Sequence, residues 1–360
     1  MGGVTASGVR AEFHELTVAE VTALCDDAVA VTFAVPPDLR DRYVFRPGQS
    51  VVLRRFVDGR EERRNYSICA PDGERLRIGV RAIPDGLFST WLVREVRTGD
   101  RVEVSTPTGT FTPPADSGRH HVLVVAGSGI TPSLSIAASL LRDPTCTVTL
   151  FYGNRRASTV MFAEELADLK DRYPARFHLA HVLSREPREA ELFSGRLDAE
   201  RLRALLPRTV STDQVDQWWL CGPFAMVTEA EELLASMGVP RDRTHHELFY
   251  VGDAPPPPVD RVEPTPEGKT SDVTAVLDGR SSTVSVPQGV SVLEGAQRAR
   301  PDLPFACKGG VCGTCRARLV SGEVHMRRNY ALEDSEVEAG FVLTCQSIPI
   351  TEQVTVDYDH

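Results

Sequence analysis

Four of the eight cysteines stand together where they could bind metal. They are Cys307, Cys312 and Cys315 in the stretch Cys307-Lys308-Gly309-Gly310-Val311-Cys312-Gly313-Thr314-Cys315, and Cys345 after a further 29 residues. Soft thiolates at C-x4-C-x2-C spacing, with one distant fourth, suit the two irons of a [2Fe–2S] cluster. Three ligands on one loop force the backbone to wrap closely. Gly309, Gly310 and Gly313 suit that wrap, because glycine takes positive φ without steric cost and lets backbone N–H groups approach sulfide. Structural zinc favours paired C-x2-C knuckles, and only one such pair exists here. The other four cysteines, Cys25, Cys69, Cys146 and Cys221, are scattered.

A [2Fe–2S] cluster passes one electron at a time, so a two-electron donor needs an intermediary on the same chain. Arg64-Asn65-Tyr66-Ser67 has residue types suited to a flavin. Arg64 offers a planar fork for a pyrophosphate, Tyr66 a ring to stack on an isoalloxazine, and Ser67 a hydroxyl near flavin N5. The segment resembles the R-x-Y-S/T motif of ferredoxin–NADP reductase-like flavoproteins, and Gly86-Leu87-Phe88-Ser89 resembles their second motif, opening a helix whose N-terminus attracts phosphate. Val80-Arg81 before that turn completes an expected FAD-binding set, although Arg81 read alone is equally a solvated strand residue.

A nicotinamide site is expected further on. Gly127-Ser128-Gly129-Ile130-Thr131-Pro132 ends an apolar run and begins a helix. Its glycines allow a tight turn and close approach of a pyrophosphate. Pro132 departs from the G-x-G-x-x-G fingerprint but matches the G-x-G-x-T-P turn of the same reductase family, and proline is tolerated in a first helical turn. In that family the cysteine of Cys221-Gly222-Pro223 sits beside nicotinamide C4, a Glu near the domain end moves protons and an aromatic covers the flavin. The resemblance assigns the last two to Glu247 and Phe249, and makes Ser67, Cys221 and Glu247 the catalytic set. Cys221 read alone is also consistent with a small buried hydrophobe. The second strand runs into Asn154-Arg155 with no acid for ribose hydroxyls, and Ser184-Arg185 offers a hydroxyl and a fork for a 2′-phosphate, so NADPH is the expected donor.

The elements that must position these groups are legible in outline. The 360 residues give a prior of two or three domains. With 41% hydrophobic and 25% charged residues, the chain is globular in composition rather than disordered or disulfide-stapled. A net charge of −10 without a basic cluster argues against nucleic acid. No apolar run of membrane-spanning length and no signal-like N-terminus is apparent, so the expected location is cytoplasmic, with reduced thiols. Short strand-like runs from Phe13 to Phe111, with one helix at 88–96, predict an antiparallel β-barrel. From His120 onward, buried strands alternate with helices at 132–141, 162–173 and 224–237, which predicts an α/β domain with a parallel sheet. The Pro-rich run around Ala254-Pro255-Pro256-Pro257-Pro258 reads as a semi-rigid spacer. The expected organisation is therefore a flexible N-terminus (1–12), an FAD-binding barrel (13–114), an NAD(P)-binding domain (115–250), a linker (251–270) and a ferredoxin-like domain (271–360), opening with a hairpin around Asp278-Gly279.

The last of these resembles plant-type ferredoxins, through Ala306 to Cys312 and Leu343-Thr344-Cys345-Gln346-Ser347, which implies a β-grasp fold and Cys307, Cys312, Cys315 and Cys345 as ligands. The whole chain resembles reductase components of bacterial multicomponent oxygenases, and most closely those of phenylacetyl-CoA epoxidases, through Tyr43 to Gln49, Phe151 to Arg155 and Asn329 to Glu333. The resemblance implies a di-iron, multisubunit oxygenase as electron acceptor. A reductase for a Rieske-type steroid or aromatic hydroxylase, and a stand-alone diaphorase-like enzyme, are the alternatives.

Overall fold

The structure, a computed structural model, describes residues 12–57, 59–84, 86–114, 117–250, 270–332 and 334–359. The expected flexible N-terminus, apart from Glu12, and the expected linker, apart from Thr270, lie outside the described residues. The chain divides into two compact units, one carrying residues 13–250 and the other residues 270–359.

The first unit begins with six antiparallel strands: β1 (Phe13–Cys25), β2 (Ala28–Ala34), β3 (Ser50–Val57), β4 (Arg60–Ser67), β5 (Arg77–Arg81) and β6 (Arg101–Ser105). They run in the order β4-β3-β6-β1-β2-β5, and a bridge between Ile68 and Ile78 joins the two ends of the sheet. Alternate residues point inward. Leu16, Val18, Val31, Phe33, Val51, Leu53, Ile78 and Val104 form the barrel core. Helix α1 (Leu87–Arg94) buries Phe88 and Leu92 against it.

A five-stranded parallel sheet follows, in the order β11-β10-β7-β8-β9. Its strands are β7 (His120–Ala126), β8 (Thr147–Asn154), β9 (Phe177–Leu183), β10 (Gln217–Pro223) and β11 (Thr244–Tyr250). The apolar run Val122 to Val125 is wholly buried, as a strand covered on both faces must be. Helices α2 (Ile130–Leu140), α3 (Ala163–Arg172) and α5 (Phe224–Ser236) lie within a residue or two of expectation. Helix α4 (Ala199–Thr209) is absent from the sequence expectation. It is polar, and Pro207 sits inside it; the available signals are Leu202, Leu205 and Leu206 on one face and Asp198 capping the Arg201 N–H.

Barrel and parallel sheet share a core, because Ala28, Ala30 and Cys69 pack with Ile130, Leu134 and Phe162. Arg77 reaches across to Glu165 at 2.9 Å, and Ser135 donates to the Ala70 carbonyl at 2.6 Å.

The second unit contains β12 (Thr270–Leu277), β13 (Arg280–Pro287), α6 (Val292–Ala296), β14 (Arg316–Ser321), β15 (Val324–Met326), α7 (Asp334–Glu338), β16 (Phe341–Leu343), β17 (Ser347–Pro349) and β18 (Gln353–Asp357). The main sheet has the order β13-β12-β18-β14-β16, and β15 pairs with β17. The expected hairpin turns at Asp278-Gly279, with φ of 55° and 66° and both N–H groups donating to Asp359. Helix α6 packs Val292, Leu293 and Ala296 into the sheet core.

At the lower edge of the parallel sheet His121 is fully buried. Its Nδ1 accepts from Trp219 Nε1 at 3.4 Å, which leaves the proton on Nε2, 3.3 Å from the Gly118 carbonyl. Burial holds this imidazole neutral and brings its pKa down to about 4. A histidine depressed on folding contributes stability that is complete above its ordinary 6.5 and lost as pH falls toward 4. Thermal unfolding of the intact chain between pH 7 and pH 4 should therefore show an acid loss on the order of 3 kcal/mol that His121→Gln largely removes. Parallel pH profiles for the two proteins would contradict the assignment.

Candidate functional site

Three groups named from the sequence meet in the first unit. Cys221 lies on β10 in register with Glu247 on the parallel neighbour β11, so both side chains face one side of the sheet. Ser67, at the end of β4, donates to Glu247 Oε2 at 3.0 Å across a separation of 180 residues. Burial raises the Glu247 carboxyl to about 7, opposed by the Ser67 hydrogen bond. Cys221 is fully buried, and burial pushes its thiol well above the usual range. The neutral thiol, and a carboxyl that carries its proton up to about pH 7, both suit a neutral ring stacked against them.

The flavin-type residues border this point. Tyr66 stands 6.1 Å from Phe88, ring to ring, and Phe88 packs edge-on to Trp91. The Asn65 amide oxygen is buried without a hydrogen bond, so an N–H on a flavin edge would satisfy it. Arg64 is exposed and pairs with Glu62 at 3.0 Å. Ser89 accepts from the Ile83 N–H and so fixes the turn through Gly86 that starts α1, while Leu87 projects into solvent. Two residues sit differently from the others. Val80 points into the barrel core, so only its backbone can meet a cofactor. Arg81 reaches the nucleotide-binding lobe: it bonds the Thr159 carbonyl, lies 3.2 Å from Asp27 and contacts Cys25 Sγ at 3.6 Å.

The turn Gly127–Gly129 lies at the upper end of β7. A Cβ at Gly129 would stand 2.2 Å from the Cys221 carbonyl oxygen, so the close crossing of turn and strand demands glycine there. Tyr152 hydroxyl donates to the Gly127 carbonyl at 2.9 Å, and Thr131 hydroxyl to that of Ser128 at 3.0 Å. Pro132 is buried at the start of α2, Gly222 and Pro223 close β10, and Phe249 is exposed on β11. Asn154, at the end of β8, is buried with neither side-chain polar atom hydrogen-bonded. The Ser184 N–H donates to the Asn154 carbonyl and the Arg185 N–H to that of Arg155, at 2.9 and 2.8 Å. These bonds hold the exposed Arg155 and Arg185 side by side at the sheet edge, with Ser184 half-buried beside them. An unsatisfied amide next to two exposed guanidiniums fits a phosphorylated ribose.

In the second unit Cys307 lies beside Cys312 and Cys315 beside Cys345. Among the described residues no three metal-binding groups converge on a single ion. Two pairs are what two irons need when each takes two thiolates. The Cys312 thiol, followed by the N–H groups of Gly309, Val311 and Cys312 itself, holds the Cys307 pKa well below its ordinary value. Cys307 is exposed while Cys315 and Cys345 are buried, so the first pair marks the edge nearest solvent.

Some groups in these sites give little sign in the sequence. Arg81's reach across the lobes depends on tertiary packing. Gln346 contacts Cys345 Sγ, and Tyr358 bonds the Thr344 hydroxyl next to Cys345, yet a lone glutamine or tyrosine has no motif of its own.

The chain matches the family models for an oxidoreductase FAD-binding domain at residues 15–112, an oxidoreductase NAD-binding domain at 123–232 and a 2Fe-2S iron-sulfur cluster binding domain at 275–349. It is 42% identical to one of the subunits of the Escherichia coli 1,2-phenylacetyl-CoA epoxidase, over 96% of this chain and 98% of that protein. It is 35% identical to the 3-ketosteroid-9-alpha-monooxygenase ferredoxin reductase component of Mycolicibacterium smegmatis, over 96% and 97%. The crystal structure of phthalate dioxygenase reductase shares the fold at a TM-score of 0.59, with 23% identity over 96% of this chain and 98% of that one. A flavin-type barrel, a nucleotide-type sheet and paired cluster thiols on one polypeptide thus agree with the likeness along its whole length, and the chain belongs to the family of FAD- and [2Fe–2S]-containing reductase components of oxygenases.

Proposed function

We propose that this reductase draws electrons from NADPH and delivers them singly to a di-iron, multisubunit oxygenase, most closely a phenylacetyl-CoA epoxidase. The observation that carries the entry step is the Ser67–Glu247 hydrogen bond beside Cys221. Bound FAD would accept a hydride as a pair and release electrons singly to the [2Fe–2S] cluster. The chain's own residues do the rest. Arg64, Tyr66 and the α1 N-terminus hold the flavin, with Asn65 and the Val80 backbone along its edge. Ser67 and Glu247 hold and move a proton at the reacting edge. Cys221, with the Gly127–Gly129 turn, sets the nicotinamide in line, and Phe249 covers the ring. Arg155 and Arg185 with Ser184 bind the 2′-phosphate. Cys307, Cys312, Cys315 and Cys345 hold the cluster.

The domain boundaries at 13–114, 115–250 and 271–360 belong to the same proposal, as does a cytoplasmic location, where thiols stay reduced. Full-length likeness to the epoxidase protein supports the partner, and the steroid monooxygenase reductases support a Rieske-type hydroxylase as the second reading. Purified holo-reductase should couple NADPH oxidation to oxygenation of phenylacetyl-CoA by the matching oxygenase subunits. Coupling only to a Rieske-type hydroxylase would favour the second reading.

Arg185→Ala should raise the KM for NADPH at least tenfold, with little change for NADH. Equal changes for both nucleotides would contradict the phosphate role. Hydride transfer to flavin N5 needs no added proton, whereas reoxidation releases the N5 proton to the Ser67–Glu247 pair. Glu247 carries its own proton below about pH 7, so reoxidation of the reduced flavin should slow as pH falls past that value. Glu247→Gln should be slower by about 10²-fold and lose this dependence; an unchanged pH profile would contradict it.

A further inference from the structure

The Gln346 side chain is 6% exposed and lies between the two parts of the cluster site. Its Nε2 is 2.8 Å from the Lys308 carbonyl oxygen and 3.7 Å from Cys345 Sγ. Both neighbours are acceptors, so the amide nitrogen must face them, one N–H to each. The Gln346 backbone is fixed as well: its N–H donates to the Leu343 carbonyl, and its carbonyl accepts from the Arg327 N–H.

Lys308 has φ of +51°, a left-handed conformation that non-glycine residues rarely adopt. The Gln346 amide bonds the carbonyl of this residue, immediately after Cys307. A Cβ at Gly310 would stand 3.0 Å from Gln346 Cγ, so the loop closes tightly on this side chain. One buried amide therefore ties the three-cysteine loop to the fourth cysteine.

We infer that Gln346 is a positioning residue that sets the reduction potential of the cluster through its N–H···S bond to Cys345. The inference rests on the four cysteines being the cluster ligands. Reduction adds one electron and no proton, and part of the added negative charge falls on the ligating sulfurs. An N–H donor to sulfur strengthens as that charge grows, so it stabilises the reduced state and raises the potential. Burial of the amide keeps the bond from competing with water.

The test is an EPR-monitored redox titration of the full-length holo-protein, comparing wild type with Gln346→Met, a donor-free residue of similar length. Gln346→Leu is the second variant, for use where the first assembles too little cluster. The expected result is about a tenfold fall in the ratio of reduced to oxidised cluster at a fixed ambient potential, about 59 mV for a one-electron couple. The wild-type Fe–S(Cys) stretching bands should also shift in D2O, and those of the variant should lose part of that shift. An unchanged midpoint in cluster-containing variants would overturn the inference, even where the cluster is lost faster, because that pattern belongs to a clamp alone. A wild-type chain without a reducible [2Fe–2S] signal would overturn the ligand assignment and the inference with it.

Discussion

The hydrogen bond from Ser67 to Glu247 unites two separately built lobes at one point. Ser67 ends a barrel strand and Glu247 lies on an edge strand of the parallel sheet, so neither lobe alone makes the site. Their shared core and the Arg77–Glu165 pair hold the meeting point in place. A carboxyl so placed loses much of its hydration and keeps a proton near neutral pH. Positioning and proton affinity thus come from the same burial.

The cluster loop follows the same logic on a smaller scale. Two thiol pairs are gathered by a loop that includes a left-handed lysine and is tied by one buried amide. Tyr358 hydroxyl donates to Thr344 Oγ1, which in turn donates to the Cys315 carbonyl, a second buried chain beneath the inner pair. The left-handed turn of the loop is tied by a directional hydrogen bond as well as by its packing against the core. A site that must keep its geometry through a change of charge gains from fixed, directional contacts of this kind.

Much of this is legible in the residues. Cysteine spacing states a local geometric demand, and the strand–turn–helix around Gly127 and the Asp278-Gly279 hairpin are likewise local. The buried run Val122 to Val125 points to the parallel sheet because a strand covered on both faces needs apolar residues throughout. Helix α4 escapes notice because its apolar stripe is narrow and Pro207 reads as a stop. The reach of Arg81 into the second lobe, the unsatisfied Asn154 amide and the two hydrogen bonds of the Gln346 amide are hidden for another reason. Each depends on a partner far along the chain, or on the absence of one, and neither leaves a periodic trace.

The account turns on electrons entering as a pair and leaving singly within one polypeptide. Its most direct test is the visible absorption and EPR spectra of the holo-protein after anaerobic addition of NADPH. The account predicts a bleached flavin band together with the signal of a one-electron-reduced [2Fe–2S] cluster. A bleached flavin with a silent cluster, in protein whose cluster dithionite does reduce, would contradict it.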